Sequence, residues 1–170
     1  MGGCCGSDCS GGISSIIGAG GGNCMIYGER QGILAGCFNR VEYAHDSGIL
    51  AGCLNRVGCG GTISCRNIIG SGYNNLVNCG NSNGGILAGS SNTISTSRTD
   101  SVIVGGNANA VCSNRAIVGA GQSNIIYGTN SGCSGIFAGC SNKICNNACM
   151  SFIGAGANNV ICNFSTPSGS

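Results

Sequence analysis

Residues 151–161 read SFIGAGANNVI and contain the pattern that decides the fold: Ile/Val-x-small-Gly-x-x-Asn-x-aliphatic. The pattern occurs nine times along the 170 residues, and successive copies start 15 to 20 residues apart. A unit this short cannot bury its apolar side alone and must stack on its neighbours. The sequence therefore predicts a stacked array of repeats over residues 16–162, between a Cys/Gly-rich segment at 1–15 and a flexible tail at 163–170.

The two ends of each copy indicate β-strands. The first position, which we call the leading position, is Ile in eight copies and Val in one: Ile17, Ile33, Ile49, Ile69, Ile86, Ile103, Val118, Ile136 and Ile153. The aliphatic position eight residues later, the closing position, is β-branched in every copy except the first. β-branched residues favour packed strands, whereas the Gly and Asn between them oppose a helix. We predict an all-β fold, a parallel β-solenoid or β-roll of about nine turns with the leading residues in its core.

A glycine and an asparagine occupy fixed positions between the two strands. The glycines are Gly20, Gly36, Gly52, Gly72, Gly89, Gly106, Gly121, Gly139 and Gly156, and we expect a positive φ or a close backbone approach there. The asparagines are Asn23, Asn39, Asn55, Asn75, Asn92, Asn109, Asn124, Asn142 and Asn159. In turns stacked about 4.8 Å apart, Asn side chains can hydrogen-bond along the stack and cap the turn backbone. We interpret them as a structural ladder and not as a ligand site.

A second apolar surface flanks the leading positions. The residues just before and just after a leading residue point to the opposite face of the strand. In eight copies one of these two is bulky and the other is Gly. The bulky residues, with Val104 from the remaining copy, are Ile16, Leu34, Leu50, Ile68, Leu87, Val104, Ile117, Phe137 and Phe152. Strands that are apolar on both faces are normally buried on both, so we predict that this face packs against other copies of the chain.

The composition excludes several classes of protein. Charged residues are 7%, Gly 34 of 170 and Pro one, far from an ordinary enzyme domain. Hydrophobic residues at 42% exclude disorder, and the scattered basic residues do not form the clustered face of a nucleic-acid binder. No run is long enough for a membrane span. Residues 1–12 lack the regions of a signal peptide, so we expect a virion protein made in a cytoplasm or a fragment of a longer exported chain.

Fifteen cysteines give no clear metal or catalytic pattern. Cys37, Cys53 and Cys140 follow the turn glycine, which indicates packing along the stack, with disulfides between adjacent turns in an oxidising setting. At the start of the chain, Cys4, Cys5 and Cys9 are candidates for cross-links between chains. No group has paired C-x-x-C spacing and His45 is the only histidine, so we predict no metal and no cofactor.

The carboxylates give no support for catalysis. None of the five forms a suggestive pair with another. His45 and Asp46 are neighbours, but neighbouring strand residues point to opposite faces, so we interpret residues 40–48 as a solvated loop that bridges two turns. We expect the protein not to be an enzyme.

The segments SVIVGGNANAV at 101–111 and SFIGAGANNVI at 151–161 resemble the repeats of trimeric autotransporter adhesin heads. These YadA-like or haemagglutinin repeats also occur in phage and giant-virus fibres. The resemblance extends over residues 16–161. It implies a left-handed parallel β-roll in which three chains pack side by side into a short rod.

We therefore expect an extracellular module of a virion or cell-surface fibre, structural or adhesive in function. Its partners would be itself, as a homotrimer, and an unknown surface receptor or glycan. Arg40, Arg56 and Lys143 share the position after the Asn and would form a weakly basic edge. Two alternatives remain: a filament subunit whose rods stack end to end, with disulfide links, and an ice- or surface-binding solenoid. The second alternative needs a regular column of Thr, which the sequence lacks.

Overall fold

The computed structural model describes residues 14–59, 61–95, 97–128 and 131–162, and all regular secondary structure in them is β. The leading residues form one nine-stranded sheet, which we call the leading sheet. Its strands are β1 (Ile16–Ile17), β3 (Gly32–Ile33), β6 (Gly48–Ile49), β9 (Ile68–Ile69), β11 (Gly85–Ile86), β13 (Val102–Ile103), β15 (Ile117–Val118), β17 (Gly135–Ile136) and β19 (Phe152–Ile153).

The closing residues form a second nine-stranded sheet, the closing sheet. Its strands are β2 (Cys24–Ile26), β4 (Arg40–Glu42), β7 (Arg56–Val57), β10 (Leu76–Val77), β12 (Thr93–Ile94), β14 (Ala110–Val111), β16 (Ile125–Ile126), β18 (Lys143–Ile144) and β20 (Val160–Ile161). The prediction of an all-β, parallel β-solenoid is confirmed. The nine strands of each sheet correspond to about eight complete turns, slightly fewer than the nine expected.

The stacking is parallel and in register along the whole rod. Each leading residue pairs with the next one, as Ile33 pairs with Ile49, and each closing residue does the same, as Val41 pairs with Val57. The leading and closing side chains meet between the sheets, where all those from residue 33 to residue 144 are fully buried. Ile17 and Ile161, at the two ends of the stack, are only partly buried. One continuous aliphatic column therefore forms the core.

The connection from a closing strand to the next leading strand forms a short third side in the first half of the rod. There β5 (Ala44–His45) pairs with β8 (Ser64–Cys65), and single bridges continue the column to residue 99. The interpretation of residues 40–48 as a solvated loop is thus wrong in part, because Ala44 is buried and the Nδ1 atom of His45 accepts a hydrogen bond from the Glu29 N–H at 3.2 Å. Residues 1–13 and 163–170, with the candidate cross-links Cys4, Cys5 and Cys9, lie outside the described residues.

Candidate functional site

The asparagines of the turns form a buried, directional ladder. Asn92 is representative: its N–H donates to Oδ1 of Asn75 at 3.0 Å, and its own Oδ1 accepts from the N–H of Asn109 at 3.0 Å. Its Nδ2 donates to the carbonyls of Ala88 and Gly106, at 3.3 and 3.0 Å, which closes the turn and joins it to the next. The side chain is fully buried, so it holds the turn and does not face a ligand.

The turn glycines combine the two features that the sequence suggested as alternatives. Gly52 has φ +98°, in the region that L-residues avoid. A Cβ on Gly52 would lie 2.2 Å from the carbonyl oxygen of Gly72 in the next turn. The turn backbones are thus stacked too closely for any side chain at this position.

A second polar column, which our sequence analysis missed, lies two residues before each leading residue. Asn67 shows its role: its N–H donates to Oγ of Ser47 at 3.0 Å, its Oδ1 accepts from the N–H of Gly84 at 2.7 Å, and its Nδ2 donates to the carbonyl of Asn81 at 2.9 Å. The signal is present in the sequence, since this position is Ser, Gln or Asn in seven copies: Ser15, Gln31, Ser47, Asn67, Ser101, Ser134 and Ser151. Because the residue type varies, the column is harder to recognise than an unvarying Asn.

The outer face of the leading sheet carries the bulky residues predicted for chain–chain contact, and we call this set the apolar stripe. Its members are Ile16, Leu34, Leu50, Ile68, Leu87, Val104, Ile117, Phe137 and Phe152. Eight of them are 41–58% exposed, and the ninth, Ile117, is half-buried. Because the strands are in register, the nine side chains form one apolar surface along the whole rod. Contiguous exposed apolar surface of this kind marks an interaction site.

The bulky side chains of the apolar stripe cover glycines of neighbouring turns. A Cβ on Gly135 would lie 3.0 Å from the Phe152 ring and 3.2 Å from Cγ2 of Ile117. The Phe137 and Phe152 rings stack with their centroids 6.0 Å apart. Large residues switch from one side of the leading residue to the other along the rod, so the surface has protrusions and hollows.

At some positions of this face the close approach of the next turn requires glycine, and at other positions it does not. A Cβ on Gly18, Gly70 or Gly119 would lie 2.4 to 2.5 Å from a carbonyl oxygen of the next turn. By contrast, a Cβ on Gly32 or Gly85 would meet only side-chain methyl groups, at 3.7 Å or beyond, which is ordinary van der Waals contact. Within a single chain there is therefore room for a Cβ at positions 32 and 85; Gly32 is half-buried, whereas Gly85 is buried beneath side chains of the neighbouring turns.

The expected basic edge is partly neutralised, because one carboxylate pairs with two of its three basic residues. Glu42 is buried, and its oxygens pair with Arg40 at 2.6 Å and with Arg56. Burial, followed by the charge of Arg40, lowers the pKa of Arg56. The third member of the edge, Lys143, lies 5.0 Å from the centre of the Tyr127 ring, at cation–π distance.

Opposite charges alternate in another column, three residues before the leading position. Arg30 pairs with Asp46 of the next turn, and the hydrogen bond from Arg30 holds the pKa of the Asp46 carboxyl below its ordinary value. Further along, Nε of Arg66 donates to Asn83 at 2.8 Å, and Nδ2 of Asn83 donates to Asp100 at 2.7 Å. Opposite charges in neighbouring turns attract each other, but each of these exposed pairs contributes little to stability.

Four of the described cysteines form disulfides between turns. Disulfides join Cys59 to Cys79 and Cys145 to Cys162, in each case between adjacent turns. Over the described ranges, no cluster of three or more His, Cys, Asp or Glu side chains is arranged to hold a metal ion. The same ranges contain no helix long and apolar enough to cross a membrane.

Neither models of known protein families nor curated proteins match this chain. The resemblance to adhesin-head repeats thus rests on the repeat pattern of the sequence alone.

Proposed function

We propose that the protein is a non-enzymatic structural and adhesive rod of an extracellular surface fibre, in which three copies pack side by side through the apolar stripe. The observation that carries the proposal is that this stripe runs the whole length of the rod and stays about half exposed in the single chain. Burying the exposed half of an aliphatic or aromatic side chain is worth on the order of 1 kcal/mol. Nine such residues per chain supply enough to offset the entropy lost on association.

The glycines at positions 32 and 85 support a self-complementary interface. Each has room for a Cβ within the chain, yet both positions are Gly beside a bulky Leu34 or Leu87. At the half-buried Gly32, a protruding residue of another copy would fill the hollow that is left. Since all copies carry the same protrusions and hollows, association of identical chains is the simplest arrangement that uses them.

An adhesive role follows from the geometry of a trimeric rod. Three parallel chains would present each exposed side chain three times, and the rung-to-rung repeat would present similar positions along the length. Weak contacts of one such array with a surface receptor or glycan gain avidity without a deep pocket. The Lys143–Tyr127 pair is the best exposed candidate for such a contact, because Arg40 and Arg56 are already paired with Glu42.

The native mass, measured by light scattering with and without reductant, tests the proposal. We expect a trimer in both conditions for the wild type. Gly32→Leu, which fills the half-buried hollow, should give monomers with an unchanged far-UV circular dichroism spectrum. The matched control is Gly105→Ala, also on the leading side, where a Cβ meets nothing within 4 Å and Ala stands in most other copies; it should remain a trimer. A wild-type monomer would refute the proposal.

A filament of rods stacked end to end is the second candidate, and the direction of the Asn ladder favours it. Each Oδ1 accepts from the N–H of the following copy, so within the described residues the ladder begins with the N–H of Asn23 and ends with Oδ1 of Asn159. Within the described residues the two ends of the ladder are complementary in hydrogen bonding, as end-to-end stacking requires. Large polydisperse species in light scattering, with fibres in electron microscopy, would place this candidate first.

A further inference from the structure

We infer that Cys37 and Cys53 form a reversible cross-turn disulfide, and that this pair is the site where a low-molecular-weight disulfide such as oxidised glutathione modifies the rod. The inference concerns a site in the turns and is independent of whether the rods associate. It rests on the register of the stack, on the two disulfides that the structure contains and on the contact between the thiols of Cys37 and Cys53.

The register places the two cysteines directly above one another. Both are four residues after a leading residue, and their backbones are partners in a parallel bridge between consecutive turns. The N–H of Cys37 donates to the carbonyl of Gly52 at 3.0 Å, and that of Cys53 donates to the carbonyl of Gly72 at 2.9 Å, which fixes the turn backbones on both sides. Paired strands lie about 4.8 Å apart, inside the range of Cα separations that a disulfide spans.

The chain already uses this arrangement twice. Cys59 and Cys79 have Cα atoms 4.9 Å apart, and Cys145 and Cys162 have Cα atoms 4.8 Å apart. In both cases the partners occupy the same position of consecutive copies, as Cys37 and Cys53 do. The sequence separations are 20 and 17 residues for the formed disulfides, and Cys37 and Cys53 are a similar distance apart. A third disulfide, between Cys37 and Cys53, thus requires no change in the path of the backbone.

The environment of the two cysteines fits a reversible disulfide better than a permanent one. Both thiols are half-buried, so a small reagent can reach them. A hydrogen bond from Cys37, followed by burial, raises the pKa of the Cys53 thiol. The Cys53 thiol is therefore mainly protonated in the reduced form, and it lies beside Cys37 in the stack.

The chemistry balances as a thiol–disulfide exchange. A thiolate of one cysteine attacks a sulfur of oxidised glutathione, forms a mixed disulfide and releases one glutathione thiolate. The thiolate of the second cysteine then attacks the protein sulfur of the mixed disulfide and releases the second glutathione. The two protons lost by the cysteines end on the two glutathione thiols, so two cysteine thiols are oxidised and one glutathione disulfide is reduced.

Tryptic mapping of the intact, folded protein tests the inference directly. Trypsin cleaves after Arg30, Arg40 and Arg56, so Cys37 is the only cysteine of peptide 31–40 and Cys53 is the only one of peptide 41–56. After incubation in a glutathione redox buffer and alkylation of the remaining thiols, we expect peptides 31–40 and 41–56 joined, with a mass lower by two hydrogen atoms than their sum. The joined peptide should come from chains that migrate as single chains on a denaturing, non-reducing gel. Dithiothreitol should separate it.

Two variants test the second step of the thiol–disulfide exchange. In Cys53→Ser, the Cys37 peptide should accumulate as the mixed disulfide with glutathione, because no second thiol displaces it. Cys140→Ser is the matched control: Cys140 occupies the same position of another copy, but its bridge partners are Gln122 and Ala157, so the joined peptide should be unaffected. The inference is overturned if the two peptides of the wild type are alkylated or glutathionylated separately, or if the joined peptide is found only in cross-linked dimers.

Discussion

Replacement of one inner member of the Asn ladder should destabilise the whole rod. In Asn92→Ala, the carbonyls of Ala88 and Gly106 lose the Nδ2 donor, and both donors of Asn109 lose their acceptor on Asn92. These groups are inside the turn, since Asn92 and Asn109 are fully buried, and water does not replace the lost bonds. Each net hydrogen bond is worth about 1 kcal/mol, and an unsatisfied buried group costs about 1–3 kcal/mol. We therefore expect a loss of about 3–5 kcal/mol in the free energy of unfolding.

Equilibrium urea unfolding, followed by far-UV circular dichroism, measures this loss. Wild type and variant are compared at the same protein concentrations, because association would add a concentration-dependent contribution. Asn107→Ala is the matched control: Asn107 lies in the next turn, paired with Ser90, but is exposed, and its loss should change the free energy by about 0.5 kcal/mol or less. If Asn92→Ala also costs under about 1 kcal/mol, the ladder does not stabilise the stack and our reasoning from its geometry is wrong.

Three further predictions concern the turns and the charged column. Gly52→Ala should lower the free energy of unfolding, measured in urea, by more than about 3 kcal/mol, because φ is +98° and the new Cβ would lie 2.2 Å from the carbonyl oxygen of Gly72. A loss below about 1 kcal/mol would show that the turns separate easily. Ala108→Asn should stabilise by about 0.5–1 kcal/mol, since Ala108 is exposed with φ +54° and Asn tolerates that conformation better; an unchanged or lower urea midpoint contradicts it. The contribution of Arg30–Asp46 should be present at neutral pH and vanish as the pH falls through the carboxyl pKa, because the folded-state pKa of Asp46 is below its ordinary value. Thermal unfolding of Asp46→Asn against pH should accordingly converge with the wild type in acid, and a difference that persists there would refute it.

The leading and closing columns could be predicted from the sequence because each is aliphatic in every copy and the two are always eight residues apart. The chemistry of a single position, such as β-branched Ile49 or Val57, was enough to place it in the core. The Glu42 ion pairs were not readable in the same way. Glu42 is the only acidic residue in its column, and its pairing with Arg56 depends on the register between two turns, which no single copy contains.

The third side of the rod, like the Glu42 ion pairs, could not be predicted from the sequence of a single copy. The strand Ala44–His45 is polar at one of its two residues and belongs to no repeated pattern, so turn propensity alone suggested a loop. It becomes a strand because Ser64 and Cys65 of the next turn lie beside it and supply hydrogen-bond partners. Pairing between turns decided the conformation here, and pairing is a property of the stack.

The variable spacing of the repeats bears on how the apolar stripe stays continuous. Copies start 15 to 20 residues apart, yet the distance from a leading to a closing residue is always eight. All variation in length is therefore in the connection that returns from the closing sheet, where the third side forms in some turns and is absent in others among the described residues.

Each bulky residue of the stripe is adjacent in sequence to a leading residue. The in-register pairing of the leading sheet therefore fixes the position and direction of its side chain, whatever the length of the connection. A longer connection, such as the one between Ile49 and Ile69, accordingly adds surface at the third side without displacing Leu50 or Ile68 from the stripe. The face that we propose for association is thus the part of the rod least affected by the irregularity of the sequence, as a long side-by-side interface between identical chains requires.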